Sequence, residues 1–271
     1  MPIHTLPPEI LDAVCRDLSP THLAAFALSA KPILPVACRL LYREISVSTR
    51  NLSVVHTLAE KPSLALHVRT FTVRSQGSSL LDSFYRRLAI ALANMKDLTS
   101  LSLFVDPCAS WVIASPRLPV YPRLSPFACS FSFNSDVAAF LSKADALLQF
   151  EIDNFADILG PPIPPIPGTS VPRLSEFIGP PRVANSIVPG RPVHTIHLLQ
   201  GDITETDIIH LGKSSAPVMI FDATTSCQPT PLLDTFTQFM PHLIYLRILT
   251  NCNLPDPLHL VRHFSILPCP F

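Results

Sequence analysis

The sequence predicts an α/β chain in two unequal parts: three short helices over residues 1–48, then strand–helix units over 49–271 that stack into a curved parallel sheet with helices outside it. Two observations carry this reading. Three apolar stretches near the start recur at helical spacing and sit beside prolines that suit a first helical turn. From residue 68 onward the pattern apolar-x-x-apolar-x-apolar returns eight times, with helical periodicity between several of the copies.

The first helix opens at Leu6-Pro7-Pro8-Glu9-Ile10-Leu11. Pro8 in the first turn loses no hydrogen bond, and Glu9 favours the positive end of the helix dipole. Ile10, Leu11, Val14, Cys15 and Leu18 then fall on one face. Ser19-Pro20 supplies an N-cap and a first-turn proline for a second helix carrying Leu23, Phe26, Ala27 and Ala30. A third is expected from near Pro32, with Pro35 in its first turn and Val36, Leu40 and Leu41 leading to Tyr42.

These residues resemble the F-box motif. Leu6-Pro7-Pro8-Glu9-Ile10-Leu11, Leu18-Ser19-Pro20, Leu23 and Leu28-Ser29-Ala30-Lys31 stand in the motif's order and spacing, and Arg39-Leu40-Leu41-Tyr42-Arg43-Glu44-Ile45 is similar to the sequence that follows it in fungal F-box proteins. One departure is Ser29-Ala30-Lys31, where the family carries Val-Ser-Lys. The resemblance implies a non-enzymatic adaptor of a Skp–cullin–F-box ubiquitin ligase. Leu6, Pro7, Ile10, Leu11, Val14, Leu18 and Leu23 would then meet a Skp-type adaptor that bridges to a cullin. The same residues also suit an internal core, but a bundle of about 40 residues is too small to bury all of them.

The eight copies are Val68/Phe71/Val73, Leu98/Leu101/Leu103, Leu124/Phe127/Cys129, Leu147/Phe150/Ile152, Leu174/Phe177/Gly179, Val193/Ile196/Leu198, Val218/Phe221/Ala223 and Leu243/Leu246/Ile248. Their intervals of 19 to 30 residues lie within or close to the leucine-rich-repeat range. The last two positions of each copy point to one side of a short strand, while the first packs from the preceding turn. Pro122, Pro172, Pro192, Pro217 and Pro241 lie just ahead of five copies, where they end what precedes without breaking the ladder. Helices are expected over 51–61, 80–95, 137–148 and 232–240. The whole resembles the irregular leucine-rich-repeat-like solenoids that follow the F-box in many family members. Gly179 and Ala223 read as weak core positions, and Asn251 alone continues the asparagine ladder of regular repeats.

Residues between the inward positions would form the exposed, concave side of the sheet. Thr70, Thr72, Ser100, Ser102, Gln149, Glu151, Glu176, Thr195, His197, Asp222, Tyr245 and Arg247 belong to this set. Of these Gln149, Glu151, Glu176, His197, Asp222, Tyr245 and Arg247 are the candidate contacts for a target protein. Their mildly acidic middle favours a neutral or basic segment of an otherwise unknown target.

Composition narrows the function further. Lys plus Arg and Asp plus Glu are 20 each with no basic stripe, which argues against nucleic acid and anionic membrane as main partners. No apolar run reaches about 18 residues, so no membrane span is predicted. Seven cysteines without a C-x-x-C suggest free thiols in a reducing cytoplasm or nucleus. No phosphate loop, nucleophile elbow or carboxylate pair stands out, so the expectation is no enzyme and no cofactor. His259 and His263, flanked by Cys252 and Cys269, are chemically capable of holding zinc but have unusual spacing, and no metal is expected. The run Gly160-Pro161-Pro162-Ile163-Pro164-Pro165-Ile166-Pro167-Gly168 reads as a stiff loop between repeats. The apolar tail Ser265-Ile266-Leu267-Pro268-Cys269-Pro270-Phe271 does not suit a solenoid cap, so a truncated array is expected. The alternative to the ligase reading is a repeat-based interaction scaffold whose F-box no longer joins a ligase.

Overall fold

The computed structural model describes residues 7–31, 33–75, 80–153, 163–226, 230–250 and 264–265. Leu6, residues 160–162 of the proline run, Asn251, the Cys252/His259/His263/Cys269 set and the tail beyond Ser265 lie outside the described residues.

The three N-terminal helices form where expected: α1 (Pro8–Arg16), α2 (Pro20–Ser29) and α3 (Leu34–Leu41). Ser19 caps α2, its side-chain oxygen accepting from the His22 N–H at 3.3 Å. Leu11, Cys15, Leu23, Ala27, Ile33 and Ala37 bury into a core of their own. Asp12 joins α1 to α3 by pairing with both Arg16 and Arg39.

The chain then passes straight into β1 (Glu44–Val47), which pairs in parallel with β2 (Thr70–Arg74). The resemblance of residues 39–45 to the sequence that follows an F-box gave no sign of this strand. Tyr42/Ile45/Val47 is in fact a ninth copy of the repeat, masked because Tyr42 also ends the apolar periodicity of α3. The change from bundle to sheet therefore falls at Tyr42–Glu44, ahead of residue 48.

The remaining parallel strands follow in sequence order: β3 (Ser100–Phe104), β4 (Pro126–Cys129), β5 (Gln149–Ile152), β6 (Glu176–Gly179), β7 (Thr195–Leu198), β8 (Ile220–Thr225) and β9 (Tyr245–Thr250). Each expected strand lies on its repeat copy. Neighbours in sequence are neighbours in the sheet, the arrangement of a solenoid. A short β10 (Phe264–Ser265) runs antiparallel beside β9.

The register is set by one buried row. Ile45, Phe71, Leu101, Phe127, Phe150, Phe177, Ile196, Phe221 and Leu246 stand opposite one another from strand to strand. Phe127 and Phe150 stack with ring centroids 5.7 Å apart, and Phe150 meets Phe177 at 6.1 Å. The first position of each copy is buried as well, Tyr42 and Leu243 only partly.

Helices cover this buried side: α4 (Ser53–Glu60), α5 (Pro62–Ala65), α6 (Asp82–Asn94), a 3-10 helix (Pro107–Val112), α7 (Ser135–Leu141), α8 (Pro181–Ile187), α9 (Glu205–Leu211) and α10 (Thr230–Phe239). Val55, Leu88, Phe140, Ile187, Leu211 and Phe236 bring them into one core with the strands. α5, α8, α9 and the 3-10 helix were not foreseen. Segments of four to seven residues show too little periodicity, although Thr204 and Asp207 form a capping box at the start of α9. α7 stops at Leu141, short of the expected 148, because the chain must turn before β5.

The described part of the proline run is held down rather than free. Ile163 and Ile166 pack on the main core. The Pro167 carbonyl accepts from Arg191 Nη2 at 2.9 Å, and the Ser170 carbonyl from Arg191 Nε at 2.8 Å. Arg191 is buried, and burial draws its pKa down from the ordinary arginine value; these carbonyls and that of Ile187 solvate it in place of water.

Four cysteines fall among the described residues, Cys15, Cys38, Cys108 and Cys129, and no disulfide links any two of them. No helix among the described residues is long and apolar enough to cross a membrane.

Gly179 is not the weak core position expected. A Cβ there would lie 2.6 Å from Ile152 Cγ2 and 3.0 Å from Phe177 Cζ, so its neighbours already fill the space. Gly179→Ala should lower stability by about 1–3 kcal/mol through overpacking, seen as a lower urea midpoint at unchanged m-value. An unchanged midpoint would show that the sheet yields there.

Candidate functional site

Period-2 alternation in the strands leaves every other side chain on the face that no helix covers. Along β5 to β9 this face carries two rows in register. The first is Gln149, Glu176, Thr195, Ile220 and Tyr245, and the second is Glu151, Ile178, His197, Asp222 and Arg247. All seven predicted target contacts thus come together on five adjacent strands. Ile178 and Ile220, half-exposed between the charged residues, were not foreseen. The alternation that placed Glu176 and Asp222 would have placed them too.

The charges on this face are ordered. Arg247 makes a fork on Asp222, with Nε to Oδ1 at 2.8 Å and Nη2 to Oδ2. This pairing raises the arginine pKa further and holds Asp222 in place, and Asp222 is nearly buried. His197 Nδ1 stands 3.6 Å from Asp222 Oδ2, and its Nε2 is 4.0 Å from Glu176 Oε1. Arg247 neutralises Asp222, so the acidic character rests with Glu151 and Glu176.

Glu151 has no ion-pair partner among the described residues. Burial pushes its pKa above the ordinary glutamate value, and the charges of Asp153 and Glu176 add to this, while Arg74 opposes it. The half of the face towards β1 differs: Thr70, Thr72, Ser100 and Ser102 are half-exposed hydroxyls, and Arg74 lies over the Phe104 ring at 4.7 Å.

A second surface lies on the bundle. Of the predicted adaptor contacts, Ile10 is 48% and Val14 38% exposed, one turn apart on α1, and Pro7 precedes them in the open. Leu11 and Leu23 are 3% and 5% exposed and belong to the bundle core, with Leu18 half-buried against it. The single predicted set therefore divides. Leu11 and Leu23 hold the bundle together, while Pro7, Ile10 and Val14 face outward. Leu28 and Leu34, 86% and 44% exposed, add to the outward set and were not foreseen.

A group whose native pKa is raised favours the fold only while protonated. As pH rises from the ordinary glutamate pKa of about 4.3 through the native value of Glu151, the native state holds the extra proton and stability falls. Glu151→Gln should therefore melt higher than the parent at pH 7, with the difference closing below about pH 4. Melting curves across that range check it, and a variant less stable at pH 7 would contradict it.

In comparisons with known proteins, no family model and no curated protein matches this chain.

Proposed function

We propose that the chain is the substrate-recognition subunit of a Skp–cullin–F-box type ubiquitin ligase. The bundle docks on a Skp-type adaptor, and the open face of the sheet holds a target protein. The observation that carries this reading is the apolar surface of the bundle. It closes a core of its own and still leaves Ile10, Val14, Leu28 and Leu34 exposed, where they are available to a partner. These residues lie within the stretch that resembles the F-box. The open sheet face supports the second half, because its polar, ordered side chains suit recognition of a protein segment across several strands.

In this reading the chain performs no chemistry. It gains rate by holding a target near a ubiquitin-conjugating enzyme on the same scaffold, which raises local concentration. The substitution Ser29-Ala30-Lys31 favours the second reading, a scaffold that no longer joins a ligase. Ala30 packs at the edge of the bundle core, where the family's motif differs.

Binding of the full chain to a purified Skp-type adaptor separates the two. Ile10→Lys with Val14→Lys should weaken that binding by at least about tenfold and leave the melting temperature unchanged, since both residues are outside the core. Leu11→Lys is the folding control, as it puts a charge into the bundle core. A folded parent chain that does not bind the adaptor would remove the ligase role and leave the scaffold.

A further inference from the structure

The chain has as many acidic as basic residues, yet its arginines are not spread evenly. Five of its 20 Lys and Arg residues line a single cleft of about 370 Å³ between the bundle and the first strands. Arg16 and Arg39 reach it from α1 and α3. Arg43, Arg69 and Arg123 reach it from the entrances of β1, β2 and β4. The sheet ladder sets Arg43, Arg69 and Thr99 side by side: the Arg69 N–H donates to the Arg43 carbonyl and the Thr99 N–H to the Arg69 carbonyl, both at 2.8 Å, while Arg123 lies two residues ahead of Ser125, whose N–H donates to the Thr99 carbonyl at 3.0 Å. The residues at successive strand entrances are therefore direct neighbours, and Thr99 adds a hydroxyl to the cleft wall.

Two carboxylates answer the five guanidinium groups. Asp12 pairs with Arg16 and Arg39, and Asp97 pairs with Arg69 at 3.1 Å. Burial would raise the Asp12 carboxyl, but the hydrogen bonds and charges of Arg39 and Arg16 outweigh it and hold it below the usual carboxylate range. Arg43 and Arg123 are exposed and have no side-chain partner among the described residues. Three positive charges are left over. His67 is half-buried in the same wall, and burial, then the charges of Arg69 and Arg39, lower its pKa from the ordinary histidine value.

We propose that this cleft binds a small polyanion bearing several phosphate groups, gripped from the bundle side and the sheet side at once. Guanidinium forks match phosphate oxygens in pairs, and several forks converging from five elements suit several phosphates better than one. The volume is that of a small-molecule site rather than an extended groove. The bundle and the sheet have separate cores, so a ligand here adds a tie between them. The inference does not depend on adaptor binding.

Calorimetric titration of the full chain with tripolyphosphate tests it, with orthophosphate as comparator at matched ionic strength. Tripolyphosphate should bind one per chain and at least about tenfold more tightly than orthophosphate. Arg43→Ala with Arg123→Ala should weaken it by about tenfold or more, because neither arginine leaves a partner behind. Arg86→Ala with Lys143→Ala, which removes two exposed cations elsewhere, should leave binding unchanged. The His67 imidazole, facing Arg39, Arg69 and Asp12, should titrate at higher pH in the saturated protein, seen by NMR, because a bound anion favours its charged form. No saturable binding by the folded chain, no preference over orthophosphate, or equal loss in both double variants would overturn the proposal. Tighter binding of a hexaglutamate peptide than of tripolyphosphate would overturn it too, and would assign the cleft to an acidic protein segment.

Discussion

A parallel sheet has no hairpins to align its strands, so the alignment must come from what the strands bury. Here that is one large apolar side chain per strand, from Ile45 through Phe71, Phe127, Phe150, Phe177 and Phe221 to Leu246, all opposite one another. A slip of one residue in any strand would turn its phenylalanine, leucine or isoleucine towards water and bring an outward-facing residue into the core. At roughly 25 cal/mol per Å² of buried apolar surface, each such ring contributes a few kcal/mol to its own register. Gly179 fits the same logic, because a second large residue beside Phe177 would find the space already held by Ile152.

The buried row also decides what the other face displays. Once the inward positions are settled, the outward ones follow at spacing two, and the ladder brings residues from different repeats side by side. Asp222 and Arg247, 25 residues apart in the chain, meet as a fork because their strands are in register. His197 meets Asp222 for the same reason. The charge order on the open face is therefore a consequence of core packing.

This explains which parts were legible in the sequence. Strands β2 to β9 were, because each buries apolar residues at fixed spacing, and so were the seven open-face residues, because alternation follows from the strand. β1 was hidden since Tyr42 serves two patterns at once, the end of α3 and the start of a repeat copy. In the bundle, periodicity identified an apolar set but could not separate Leu11 from Ile10. Adjacent residues on a short helix differ by about 100° in direction, and which one faces inward depends on where the neighbouring helices lie. The arginine cleft left no trace in the sequence at all. Its residues come from positions 16 to 123, and their charges cancel against acids elsewhere in any overall count.

The joint between the two parts bears most directly on how such a chain would work. Leu40 and Leu41 pack on the bundle core, while Tyr42 and Ile45 pack on the sheet core. The transition thus occurs between adjacent residues that are each tied down, with no slack segment between them. Arg39 and Arg43 flank that point and both line the cleft. A subunit that acts by proximity depends on the distance and angle between what it holds at each end, since positioning is all it contributes to rate. In this chain that geometry is set at one place, where two cores meet across a single peptide bond and unneutralised arginines crowd the gap. Asp12 is shared by Arg16 and Arg39, so the bundle wall keeps one net positive charge that faces Arg43 and Arg123 across the cleft, and an anion bound between them would be attracted to both sides.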